Sequence, residues 1–323
     1  MIKSGFAFLA SRQLALSLLF FLICLFFGLT NENFRDPFNL LDRSRHWVEI
    51  GMIAVPMTLI IATGGIDLSV GSIVALCGIV SGLMFEKMGM PLPLAFAFGV
   101  LVGGVCGAIN GFICSRLRVP ALVTTLATMA VFRGLAMGLS RADPIRGFPR
   151  EITDWAGMST FGWGNFQLPH QTLLLLILVA LGMIVLSKTV VGRWSLQIGE
   201  NLKAAKFATV PVDKMHLLLY TTCGLVCGLA SIIYTARFAT AHPAAAKGLE
   251  LEVIACVVIG GTRITGGNGS VLGTFLGVLI LGTLRFGMDL EGILQRYQIV
   301  LIGLVVVLAA TMNEYVARRP RQK

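Results

Sequence analysis

The chain has 323 residues, 56% of them hydrophobic and only 13% charged, with a formal net charge of +10. Soluble domains carry about 25% charged residues, so a soluble fold is excluded and an all-α polytopic membrane protein is expected. Lys and Arg gather in loops between apolar runs and near the C-terminus, which suits orientation in a bilayer; no basic face interleaved with aromatics points to nucleic acid.

Met1 to Gln13 is short and basic, with Lys3 and Arg12, and is expected to stay in the cytoplasm. Leu14 to Thr30 reads as a retained first span, because no small-residue cleavage pattern follows it. Trp47 to Thr63 is the second span, Leu68 to Phe85 the third and Leu92 to Cys114 the fourth. In the fourth, Gly103, Gly107 and Gly111 recur every four residues and predict a close helix–helix approach. The fifth span, Val119 to Leu139, carries Arg133. Ser140 to His170 is the longest hydrophilic connection, and its Trp155 and Trp163 read as interfacial anchors. Gln171 to Ser187 and His216 to Ala236 are the sixth and seventh spans. Val253 to Gly261 is apolar but too short to cross alone; Ser270 to Met288 and Ile299 to Met312 complete the series. The threading gives about ten crossings in a single domain over 1–323, with both termini cytoplasmic.

One polar island stands out between the sixth and seventh spans. Lys188 to Lys214 holds Lys188, Arg193, Lys203, Lys206 and Lys214 against only Glu200 and Asp213. Asn201 can cap a short helix over Leu202 to Thr209, and Pro211 stops it. Such a loop is either a surface linker or an element that receives force from a soluble partner.

Two glycine-rich breaks resemble one another. The first runs through Gly64, Gly65, Asp67 and Ser69 to Ser72; the second runs from Gly260 and Gly261 to Ser270. Each lies between apolar runs, as broken helices along a translocation pathway do, and the pair hints at internal duplication. Asp67 reads either as a contact for substrate or ion or as a helix cap. Arg133, Glu252 and Arg285 are expected to snorkel to the interface. The seven cysteines all lie in or beside apolar segments and read as packing residues, Cys223 and Cys227 included, so no metal is expected. No G-x-x-x-x-G-K-[ST], H-E-x-x-H or G-x-S-x-G occurs, so neither a nucleotide site nor an enzyme is expected in this chain.

From about Trp47 to Met312 the chain resembles the membrane permease subunits of bacterial ABC sugar importers of the ribose type, a family with xylose, rhamnose and autoinducer-2 branches. The resemblance rests on G-G-I-D-L-S-V-G-S at Gly64 to Ser72, on Val257 to Gly261 with Gly266 to Gly273, and on a G-x-N-x-x-A-A pattern at Gly199, Asn201, Ala204 and Ala205. It implies a multi-pass protein of the bacterial inner membrane, working as a homodimer or beside a related permease. It further implies a separate ATPase subunit that binds Mg-ATP, and a periplasmic sugar-binding protein. Gly199, Asn201, Ala204 and Ala205 would then lie at the ATPase contact, with Lys203 and Lys206 meeting acidic partner residues. Thr209 stands where the family usually has glycine. Arg118 to Leu126 and Arg146 to Pro149 resemble the rhamnose and autoinducer-2 branch most. A segment with His242, Pro243, Gly248 and Glu250 resembles the family's second external loop, where a structural turn is an equal reading. The alternative is a stand-alone secondary sugar carrier, although no chain of intramembrane Asp, Glu or His suggests a proton relay.

Overall fold

The computed structural model describes residues 2–157, 159–163 and 166–318. The tail residues Arg319, Arg321 and Lys323 and the side chains of Lys3, Arg12 and Trp163 lie outside the described residues.

The helices follow the apolar runs in chain order. α1 (Ile2–Thr30) leads into two short helices, α2 (Glu32–Arg35) and α3 (Pro37–Ser44). α4 (Val48–Ala62) and α5 (Val70–Glu86) flank the first break, and α6 (Leu92–Arg116) and α7 (Ala121–Ser140) follow. The long hydrophilic connection folds as α8 (Arg150–Gly157) and an antiparallel hairpin of β1 (Ser159–Trp163) and β2 (Phe166–Pro169). This small hairpin is an addition to the all-α expectation. Next come α9 (His170–Lys188), α10 (Val190–Glu200), α11 (Leu202–Phe207) and α12 (Val212–Phe238). α13 (Leu249–Ile259) and α14 (Val271–Leu290) flank the second break, and α15 (Gln295–Arg318) ends the described chain. Six of these helices are long and apolar enough to cross a membrane among the described residues; α4 and α5 are shorter apolar helices.

The bundle is organised around α4. Its residues from Gly51 to Ala62 are all buried, so its apolar character runs right round the helix, as expected of a central element. Around it the outer helices expose large apolar side chains, such as Phe21, Leu101, Leu126 and Val300. That inverts the arrangement of a soluble protein and marks a surface that faces lipid.

The tightest seam joins α6 to α12, where the glycine spacing has its cause. A Cβ on Gly103, Gly107 or Gly111 would run into the α12 backbone near Gly224, Tyr220 and Leu217 respectively. α12 answers with Gly224 and Gly228, which lie as close against α6. With no gain from moving apolar area out of water, helices in lipid associate through this close packing.

Candidate functional site: where two broken helices meet the polar loop

Both glycine breaks use the same local structure. α4 closes with Gly65 N donating to Ile60 O (3.1 Å), and Gly64 sits at φ +86°. α13 closes with Thr262 N donating to Val257 O (3.1 Å), and Gly261 sits at φ +94°. In each, a left-handed glycine lets the chain turn back and satisfy a carbonyl of the last helical turn. The two breaks thus share one local backbone structure as well as a similar sequence.

Past each cap the backbone is irregular, and its polar groups need partners at this depth. In the first break, Ile66 O accepts from Thr125 Oγ1 (3.1 Å) on α7 and from Tyr220 OH (3.4 Å) on α12. Asp67 is fully buried and accepts through Oδ1 from Ser69 N (2.8 Å) and Ser69 Oγ (2.7 Å). Asn110 Nδ2 on α6 donates in turn to Ser69 Oγ at 2.8 Å. Asp67 thus closes a turn at the start of α5, and its Oδ2 has no hydrogen-bond partner. In the second break, Ser270 Oγ accepts from Gly273 N (3.0 Å) and caps α14.

The two breaks then meet. Gly267 N, in the second, donates to Ala62 O (3.0 Å), at the end of α4. Gly64 N and Ala62 O crowd Gly266, which lies at φ +84°, so no side chain fits there. The third partner is the polar loop: a Cβ on Gly199 would overlap Ala62 O and Gly267 N. Residues far apart in sequence, Gly64, Gly199 and Gly266, therefore form one backbone junction.

From that junction α11 projects outward. Asn201 Oδ1 accepts from Ala204 N at 3.0 Å, so the expected cap forms. Lys203, Ala204 and Lys206 are exposed. Ala205 is buried and Gly199 is packed in the junction, so these two face the bundle. Sequence reasoning missed two features here. α10 makes most of the loop's first half helical, with Thr189 Oγ1 as its cap. Phe207 is 89% exposed at the outer end of α11; only its place among polar neighbours could have flagged it. Thr209, standing where the resemblance expected glycine, has φ +59°. Left-handed backbone is costly for a β-branched residue, so the glycine preference has a direct physical cause.

Snorkelling does not account for the three charged residues near span ends. Arg133 on α7 donates through Nη1 to Pro243 O (2.8 Å) and Ala245 O (2.7 Å), pinning the connection between α12 and α13. Arg285 and Glu252 form a bidentate pair with both bonds at 2.8 Å. In a low-dielectric bundle these contacts replace hydration more fully than an interface position would. Trp155 is partly exposed and lies against His170.

Residues 43–310 match the family described as branched-chain amino acid transport system / permease component. The chain belongs to this permease family. It is similar to the ribose import permease protein of Bacillus subtilis (strain 168), at 36% identity over 295 residues, covering 91% of this chain and 90% of that protein. It is also similar to autoinducer 2 import system permease proteins. That of Photorhabdus luminescens is 33% identical over 303 residues, and that of Yersinia enterocolitica serotype O:8 is 35% identical over 302; each comparison covers 92% of this chain and 89% of the relative. No solved structure matches the chain. The permease is thus a multi-pass membrane protein, and its junction lies within the region that the family shares.

Proposed function

We propose that this permease is the transmembrane subunit of an ATP-binding cassette importer of the bacterial inner membrane, moving a monosaccharide or related small sugar into the cytoplasm. The observation that carries this reading is the likeness to the ribose import permease over nine-tenths of both chains. Autoinducer-2 permeases of similar identity favour a substrate of that type, and the likeness of Arg118 to Leu126 and Arg146 to Pro149 extends the lean to rhamnose. The helices cross about ten times with both termini cytoplasmic, which puts the basic polar loop inside.

A separate ATPase binds Mg-ATP and docks on α11. Force delivered there reaches Gly199, two residues before the α11 cap Asn201, and so the end of α4 and the second glycine break. A periplasmic sugar-binding protein delivers the solute from the other face, and a second permease copy completes the pathway. The populations of inward and outward arrangements are thereby shifted from both sides.

The test is purification in mild detergent followed by uptake in liposomes. A P-loop ATPase that co-purifies, is lost on enlarging Ala204 to Trp, and is needed for sugar uptake supports the importer. Sugar uptake by the permease alone, driven by an ion gradient without ATP, would establish the secondary carrier and refute it.

A further inference from the structure

α6 and α12 run antiparallel, and the glycine seam fixes their register: Gly103 lies against Gly224, Gly107 against Tyr220 and Gly111 against Leu217. Carried on to the end of α6, that register sets Arg116 level with the first turn of α12, which opens at Val212. At 25 residues α6 is about 37 Å long, and α12, at 27, is about 40 Å. The hydrocarbon core of a bilayer is about 30 Å thick. Both helices outreach it, so the end of α6 and the start of α12 emerge together at headgroup level.

Each helix turns large apolar side chains outward. On α6 these are Val105, Ile109 and Phe112; on α12 they include Leu217 and Leu218. α5 contacts both helices from the other side, so the two exposed stripes look the same way. Each stripe ends in a cation. Arg116 follows Phe112 by four residues and Lys214 precedes Leu218 by four, which keeps each on the lipid-facing side of its own helix. Arg118 joins them from the turn between α6 and α7, where it holds φ +55°. All three are exposed, and none makes a hydrogen bond or ion pair among the described residues. Leu117, between the two arginines, is 61% exposed. An apolar side chain at the tip of a turn is out of place in water but not against acyl chains, and the flanking arginines can reach from the same surface to the headgroups.

The charges select the occupant. Residues 112–120 and 210–218 hold three Lys and Arg against one acid, Asp213. A zwitterionic headgroup carries its own cation and leaves that excess unneutralised. An anionic headgroup neutralises it and offers phosphate oxygens to the arginines in bidentate form. Free phosphate has no acyl chains to cover the stripes.

We propose that the C-terminal end of α6, the turn that follows it and the N-terminal end of α12 form a binding site for an anionic phospholipid. Arg116, Arg118 and Lys214 hold the headgroup phosphate, and the acyl chains lie along the two stripes. The importer reading supplies only the assignment of this end to the cytoplasmic leaflet, where anionic lipids and basic segments meet.

The experiment measures binding of dioleoyl phosphatidylglycerol, dioleoyl phosphatidylcholine and glycerol phosphate to the full-length permease in detergent, by native mass spectrometry with the melting temperature alongside. Phosphatidylglycerol is expected to bind, and to raise the melting temperature, at concentrations where the other two do neither. Arg116→Gln, Arg118→Gln and Lys214→Gln should each weaken its binding about fivefold, while Arg116→Lys stays within about twofold of wild type. Arg141→Gln, at an exposed arginine on the opposite end of α7, is the control and should change nothing. Equal binding of the two lipids, or an equal effect of glycerol phosphate, would overturn the proposal. So would three Gln variants that bind phosphatidylglycerol as wild type does; if they also lost the ATPase, the cations would belong to the soluble partner's surface. Orientation is read separately. Labelling of Leu117→Cys by an impermeant maleimide from outside right-side-out membrane vesicles would overturn the importer's topology and leave the lipid comparison standing.

Discussion

Gly199→Ala tests whether the junction is a close-packed backbone contact. The added Cβ would overlap Ala62 O and Gly267 N, which are themselves hydrogen-bonded at 3.0 Å. Both are backbone atoms, so neither can swing aside as a side chain would. Overpacking of this kind costs about 1–3 kcal/mol, and forcing the buried bond open adds about 1–3 kcal/mol. Against this, alanine gains about 1 kcal/mol over glycine inside a helix. The net expectation is a loss of about 1–5 kcal/mol and a lower melting temperature in detergent. Gly134→Ala is the matched control, because a Cβ there meets nothing within 4 Å and the residue lies inside α7. That change should leave the melting temperature unchanged or raise it. If Gly199→Ala and Gly134→Ala shift the melting temperature in the same direction, the junction is not packed as described. Uptake in the Gly199 variant should fall further than stability alone explains, since the same contact joins α10 to the breaks.

Three other outcomes are expected. Thr209→Gly relieves a β-branched residue at φ +59° and should stabilise the fold by about 1 kcal/mol, read as a raised melting temperature; an unchanged or lowered one would refute the strain. Arg133→Met keeps the length of the side chain but removes the bonds to Pro243 O and Ala245 O. Each such charge-assisted bond contributes about 1.5–3 kcal/mol when buried and less at partial exposure, so hydrogen exchange of residues 239–248 should accelerate while α6 and α12 stay protected. Phe207→Ala removes an 89% exposed ring and should leave the melting temperature within error while reducing recovery of the ATPase; undiminished recovery would remove Phe207 from the docking surface.

Much of this protein was legible in the linear chain, because membrane helices announce themselves by length and hydropathy and their polar interruptions stand out against them. The apolar runs became helices within a few residues of their expected bounds, except that α1 begins twelve residues earlier and α15 runs six residues further; Asn201 capped α11 as its type and position predicted, and the spacing of Gly103, Gly107 and Gly111 identified a packing seam. These features depend on neighbours within one or two helical turns. What the chain could not show was which distant segments touch. That Gly64, Gly199 and Gly266 share one contact, that Arg133 holds a loop more than a hundred residues away, and that Glu252 finds Arg285 across two helices were decided by tertiary packing alone. The same holds for the inward turn of Ala205 and the outward turn of Phe207. A six-residue helix has too few positions for its buried face to be read from periodicity, so the bundle beneath it makes that choice.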